Sequence, residues 1–134
     1  MKVLVVDDCR DTAGSTCILL RLWGYDTCAA YDGPSALHAA AAYGPDAVLL
    51  DIGLPGMDGY EVARRLRQQA GPALLLLCVS GFGQEDDRRR ALDAGCDDHL
   101  VKPVDLTQLQ RRLTAWEQPA GDAQSAGART RNGT

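Results

Sequence analysis

Lysine is nearly missing from this chain: it stands only at Lys2 and Lys102, and the rest of the 14 basic residues are arginines. No stripe of positive charge is present either. The formal net charge is −4 with a pI near 5.0, which excludes direct nucleic-acid binding as a general mode, because a polyanion partner demands a basic surface. No apolar run approaches the roughly 20 residues that span a bilayer; the longest is Ala73 to Val79, so no membrane partner is expected. The amino terminus does not read as a signal peptide, since its apolar stretch is cut short by Asp7 and Asp8. A cytoplasmic location is the resulting expectation. The five cysteines, Cys9, Cys17, Cys28, Cys78 and Cys96, share no CxxC or metal-ligand spacing. They read as reduced cysteines of a core or helix face. No GxSxG elbow surrounds Ser80, and neither His38 nor His99 completes a hydrolytic triad.

What is present is organised around Ala47-Val-Leu-Leu-Asp51-Ile-Gly-Leu-Pro-Gly-Met-Asp-Gly59. An unbroken apolar run predicts a strand buried on both faces, and the acid at its carboxyl end falls where open α/β sheets place their chemistry. Gly53, Pro55, Gly56 and Gly59 then force a loop. Val3 to Val6 followed by Asp7-Asp8 repeats the strand-then-acid junction. Between them, Cys9 to Trp23 carries Ile18, Leu19, Leu22 and Trp23 at helical spacing and stops at Gly24. Tyr25 to Ala30 alternates with polar residues and suits an edge strand. Asp32-Gly-Pro-Ser opens an alanine-rich helix ending at Tyr43-Gly44.

Downstream, Asp58-Gly-Tyr-Glu61 has the form of a capping box, with Val62, Ala63 and Leu66 facing inward. Ala73 to Val79 is the most apolar strand and ends in Ser80-Gly81. A polar helix from Gln84 stops at Gly95; its Arg88 to Arg90 cluster reads as a solvated face. His99-Leu-Val then closes on Lys102-Pro103. Asp105 and Gln108 cap a last helix with Leu106, Leu109, Leu113 and Trp116 at helical spacing. Five strand and helix alternations predict a flavodoxin-like (βα)5 doubly wound parallel sheet, strand order 2-1-3-4-5, over residues 1–116. Residues 117–134 lack periodicity and are expected to form a disordered tail.

All carboxyl ends of a parallel sheet lie on one side, so Asp7, Asp8, Asp51, Ser80 and Lys102 should gather at one crevice. Three carboxylates in reach of one another repel unless a cation sits between them. Carboxylate, carbonyl and water oxygens describe a Mg²⁺ site. The ammonium of Lys102 and the hydroxyl of Ser80 suit contact with phosphoryl oxygens. Together these groups describe in-line phosphoryl transfer to an aspartate.

Asp7-Asp8, Asp51 before Leu54-Pro55-Gly56-Met57-Asp58-Gly59, Ser80-Gly81, and Lys102-Pro103 after Ala94-Gly95-Cys96-Asp97-Asp98 make the chain resemble a receiver domain of two-component response regulators, over residues 2 to about 116. The resemblance implies that Asp51 accepts a phosphoryl group, becoming 4-aspartylphosphate, from the phosphohistidine of a histidine kinase or histidine phosphotransfer protein. It implies that Asp8, Asp51 and the Gly53 carbonyl ligate Mg²⁺ directly and Asp7 mainly through water. It also implies that Ser80 and Lys102 contact the phosphoryl oxygens and that the Lys102-Pro103 peptide is cis. One position departs from the family's habit: His99 stands where a Tyr or Phe usually turns inward as a switch. The His-Leu-Val-Lys-Pro-Val run is instead similar to receivers attached to hybrid histidine kinases.

The leading expectation is therefore a signalling module, not an enzyme on external substrates, acting on an output protein that the sequence does not name, as a monomer or phosphorylation-dependent dimer. A phosphorelay intermediate or an excised hybrid-kinase receiver is an open variant. The rival from another class is a Mg²⁺-dependent hydrolase with Asp51 as covalent nucleophile. It lacks a general acid two residues on, where Gly53 stands. Phe82 and Gly53 flank the site and are expected to influence water access.

Overall fold

The computed structural model describes residues 1–81 and 85–117, with side chains for all of these except 85–87. Phe82 and the tail from 118 to 134 lie outside the described residues. The elements alternate as expected: β1 (Lys2–Val6), α1 (Arg10–Leu22), β2 (Asp26–Ala30), α2 (Gly33–Tyr43), β3 (Ala47–Asp51), α3 (Gly59–Ala70), β4 (Leu75–Ser80), α4 (Glu85–Asp93), β5 (Asp98–Val101) and α5 (Leu106–Glu117), with a 3-10 turn at Gly71–Ala73 before β4. The strands form one parallel sheet in the order β2-β1-β3-β4-β5. β2, the strand interrupted by polar residues, takes an edge.

Alternation along the strands divides the core in two. Leu4, Val6, Val48, Leu50, Leu76 and Cys78 face a layer built by α2, α3 and α4, through residues such as Ala36, Leu66 and Ala91. Val3, Val5, Leu49, Leu77, Val79 and Leu100 face α1 and α5, through Ala13, Leu20, Leu109 and Leu113. Every residue of β3 and β4 is buried, as continuous apolar runs require when helices cover both faces. A fully buried leucine contributes about 1.5–3 kcal/mol relative to an exposed one, so these central strands hold the sheet together. Among the described residues no helix is long and apolar enough to cross a membrane.

Three local expectations need correction. α1 packs through Ala13, Cys17 and Leu20, while Ile18 is 59% and Leu22 78% exposed. Ala13, Cys17 and Leu20 recur at helical spacing on the face that meets the sheet, and Ile18 and Leu22 fall on the opposite side. Asp58 does cap α3, accepting from Tyr60 N at 2.9 Å, but Glu61 does not complete a box. Its carboxylate reaches forward to Arg64 (3.1 Å) and Arg65 (3.0 Å), neighbours one turn along an exposed helix face. Finally, Cys78 and Cys96 are joined in a disulfide rather than reduced. Nothing in their spacing of 18 announces it; the β4–β5 pairing brings them together.

The remaining caps follow the sequence. Asp32 accepts from Ser35 N at 2.8 Å at the start of α2, and Gly44 ends that helix at φ 65°, a left-handed conformation that glycine adopts freely. Asp105 accepts from Thr107 N (2.9 Å) and Gln108 N (3.3 Å) to open α5. Leu109 and Leu113 are buried, whereas Leu106 and Trp116 are exposed.

Candidate functional site at the carboxyl ends of the strands

Asp7 directly follows β1, where its N–H donates to Ala30 O at 3.1 Å and continues the ladder to β2. Its Oδ1 accepts from Cys9 N at 2.9 Å, so the turn into α1 pins the carboxylate. Asp51 is the last residue of β3. Its Oδ1 accepts from Gly53 N (2.9 Å) and its Oδ2 from Lys102 Nζ (3.0 Å). Among the described residues each oxygen thus has one donor and keeps acceptor capacity to spare. Asp7 and Asp51 are buried and Asp8 is exposed.

The three acids converge as the topology requires. One carboxylate oxygen from each of Asp7, Asp8 and Asp51 lies within 4.8 Å of the others. Lys102 Nζ also stands 3.8 Å from Asp7 Oδ2. Burial pushes the Asp7 carboxyl above its ordinary range; the Cys9 N–H opposes this, Asp51 and Asp8 add to it by repulsion, and Lys102 opposes it. For Lys102, burial is the largest single influence and pulls downward. The hydrogen bond to Asp51 and the charges of Asp51, Asp7 and Asp8 outweigh it, so the ammonium is held above its ordinary value. A cluster of three acids against one ammonium leaves a negative surplus, and its oxygen-only donor set fits a hard divalent cation.

Ser80 ends β4, and its side chain shares the α3–α4 face with Cys78. Ser80 Oγ lies 2.7 Å from His99 Nε2 across the β4–β5 pairing. Ser80 O accepts from Lys102 N at 2.8 Å, which ties the hydroxyl and ammonium residues through the backbone. The Lys102-Pro103 peptide is cis. His99 N donates to Asp98 Oδ1 at 2.8 Å, and Asp98 Oδ2 pairs with Arg112 of α5. Asp7, Asp8, Asp51, Gly53 and Lys102 thus meet at the carboxyl end of the sheet; Ser80 ends the adjacent strand, and His99 reaches its hydroxyl from within β5.

The supporting residues were less visible in the sequence. Arg67 of α3 donates to Gly95 O (2.8 Å), Gly71 O (2.8 Å), Leu74 O (2.7 Å) and Asp97 Oδ2 (2.8 Å). Asp97 Oδ2 also accepts from Leu76 N at 2.8 Å. One guanidinium thus fastens the end of α3, the start of β4 and the turn before β5. Its partners lie up to 30 residues away, so no local pattern could have found them. Gly59 had a readable role as a loop residue, but its reason is steric: a Cβ there would stand 2.3 Å from Ile52 O.

The response regulator receiver domain model matches residues 3–114. The chain belongs to this family. It is 39% identical over 130 residues to the transcriptional regulatory protein PrrA of Mycobacterium tuberculosis, covering 96% of this chain and 55% of PrrA. Over 128 residues it is 40% identical to the response regulator MprA of Mycobacterium avium, covering 93% and 56%. The chain therefore spans about half the length of the curated relatives it matches. Among solved structures it resembles the BeF3-activated N-terminal receiver domain of Klebsiella pneumoniae RstA, with a TM-score of 0.81, 27% identity, and coverage of 88% of this chain and 100% of that one. This is a receiver domain of two-component response regulators. Receiver domains bind Mg²⁺ through an acidic pocket, and Asp7, Asp8 and Asp51 form an acidic cluster. They interact with histidine kinases.

Proposed function

We propose that this receiver, residues 1–116, takes a phosphoryl group onto Asp51 from the phosphohistidine of a histidine kinase or phosphotransfer protein in the cytoplasm and thereby changes its affinity for an output partner. The observation that carries the reading is the mutual approach of the Asp7, Asp8 and Asp51 carboxylates within 4.8 Å beside Lys102 Nζ at 3.0 Å from Asp51. Asp8, Asp51 and the Gly53 carbonyl would hold Mg²⁺, with Asp7 acting through water; the ion supplies charge neutralisation for the incoming phosphoryl oxygens. Asp51 supplies the attacking oxygen, and the P–N bond of the donor histidine breaks with its electron pair returning to the imidazole. Gly53 N–H and Lys102 orient the carboxylate before the attack. Lys102 and Ser80 then contact the phosphoryl oxygens.

His99 takes the place of the family's inward-turning ring. Ser80 Oγ, 2.7 Å from His99 Nε2, would exchange that contact for one to a phosphoryl oxygen, so the two residues form a couple whose partner changes on phosphorylation. The same His99 ring environment by NMR before and after phosphorylation would rule this couple out.

A cleft of about 360 Å³ adjoins the site between α1 and α5. Among the described residues, Asp7 and Asp51 are the acids on its walls and no histidine lines it, which favours a phosphoacceptor over a hydrolase with a paired general acid. Incubation with acetyl phosphate and Mg²⁺, followed by mass, tests the assignment. A stoichiometric phosphoryl adduct that is lost in Asp51→Asn is expected. Repeated turnover of phosphate esters, or an adduct that survives the substitution, would overturn it.

A further inference from the structure

The Cys78–Cys96 bond spans the part of the fold that carries Ser80. Cys78 lies in β4, two residues before Ser80, and Cys96 lies between α4 and β5. The bond closes a loop with a sequence separation of 18, which contains Ser80 and all of α4. Its Cα atoms stand 6.2 Å apart, within the span that a disulfide bridges without backbone movement. Strand register sets Cys78 opposite His99 and Ser80 opposite Val101. The covalent link ties β4 to the turn that leads into β5, and the Ser80–His99 contact, two residues further along β4, ties β4 to β5 itself. Both cysteines belong to the layer that includes Leu66, Ala91 and Ala94; Cys78 is 0% and Cys96 5% exposed.

We propose that Cys78 and Cys96 are a reversible thiol–disulfide site whose oxidised form staples together the two ends of the Ser80–α4 segment, β4 and the turn before β5, and whose reduced form releases that constraint. The oxidant is a low-molecular-weight disulfide. Cys96, the less buried of the two, attacks it as a thiolate, releasing one small thiol and forming a mixed disulfide. The Cys78 thiolate then attacks the Cys96 sulfur and expels the second small thiol. The two protein thiols lose two electrons and two protons, and the reagent's S–S bond is reduced to two thiols. Closing the loop removes conformational freedom from the segment. Because Ser80 lies inside that loop, the oxidised form resists the change of partner at Ser80. That consequence rests on the phosphoacceptor reading of Asp51, whereas the bond and the stapling do not.

The test compares the full chain after treatment with glutathione disulfide and after treatment with dithiothreitol. Denaturing alkylation should count three thiols in the oxidised sample, matching Cys9, Cys17 and Cys28, and five in the reduced one, matching the cysteine content. Amide exchange across residues 88–93 should be slower in the oxidised form, on the order of tenfold, with the difference abolished in Cys96→Ala. The shift of His99 resonances on adding acetyl phosphate and Mg²⁺ should be smaller in the oxidised form. Five alkylated thiols in both samples, or equal exchange in both, overturns the proposal. Failure of acetyl phosphate to label either form overturns the Asp51 reading instead, while thiol count and exchange still decide the staple.

Discussion

Lys102 Nζ lies 3.0 Å from Asp51 Oδ2 although the two residues are 51 positions apart. The contact joins the end of β3 to the residue just after β5, with β4 between them in the sheet. Only the carboxyl-end convergence of parallel strands brings an ammonium to this acid.

Replacing Lys102 by methionine keeps the apolar stem and removes the charge. Acetyl phosphate labelling of Asp51 should fall about 10²-fold, the usual consequence of removing one preorganised stabiliser of developing charge. Mg²⁺ affinity should hold or tighten, because a competing cation has gone. Calorimetric Mg²⁺ titration beside timed mass spectrometry checks both, and an unchanged labelling rate contradicts the role.

The raised proton affinity of Asp7 carries a pH dependence with a definite sign. Burial first, and then Asp51 and Asp8, lift its carboxyl above the ordinary range. The folded state thus holds this proton more tightly than the unfolded chain. The stability it contributes is present below the unfolded value and is lost as pH rises through the raised folded value. Mg²⁺ needs the ionised acid, so its affinity should weaken as pH falls toward that value, beginning above the normal carboxylate range. The Mg²⁺-induced rise in Tm, followed from roughly pH 7 to pH 4, measures it. Asp7→Asn should flatten the upper part of the profile.

Arg67 is expected to matter more for stability than for phosphorylation. Arg67→Ala takes the charged donor from the carbonyls of Gly95, Gly71 and Leu74 and from the Asp97 carboxylate, leaving Asp97 Oδ2 with Leu76 N and Gly71 O with Leu74 N. The loss should be about 2–4 kcal/mol, since several part-buried acceptors lose a charged donor together. Arg67→Lys should recover only a fraction, because a single ammonium cannot reproduce the guanidinium fork. Urea denaturation of the three proteins is the measurement.

Two glycines make a paired test. A Cβ at Gly59 would meet Ile52 O at 2.3 Å and Ile52 Cα at 2.6 Å, and backbone cannot step aside as a flexible side chain does. Gly59→Ala should cost about 1–3 kcal/mol and slow Asp51 labelling by displacing the loop after β3. Gly14, inside α1, has nothing within 4 Å of a Cβ. Gly14→Ala should stabilise by about 0.4–1 kcal/mol and leave labelling unchanged.

Much of the architecture was legible because its signals are local. Apolar runs at Val3–Val6, Ala47–Leu50 and Ala73–Val79 point to buried strands, although the last starts only at Leu75, after a 3-10 turn that takes Ala73; Asp32 and Asp105 announce helix starts, and Asp7, Asp51 and Lys102 stand at strand ends. α1 was misread at Ile18 and Leu22 because residue size alone does not tell which side of a helix meets the sheet. Glu61 was misread because Arg64 and Arg65 compete for its carboxylate with the amide at the helix start.

The sequence by itself determined the order of strands and helices, the acids, hydroxyl and ammonium at the strand ends, and membership of the receiver family, since each rests on periodicity or on a contiguous motif. The tertiary structure alone decided that Arg67 clamps Gly95, Leu74 and Asp97, that Ser80 meets His99, and that Cys78 joins Cys96. Those contacts depend on strand register and on the packing of α3 and α4 over β4 and β5, which no short stretch of chain encodes.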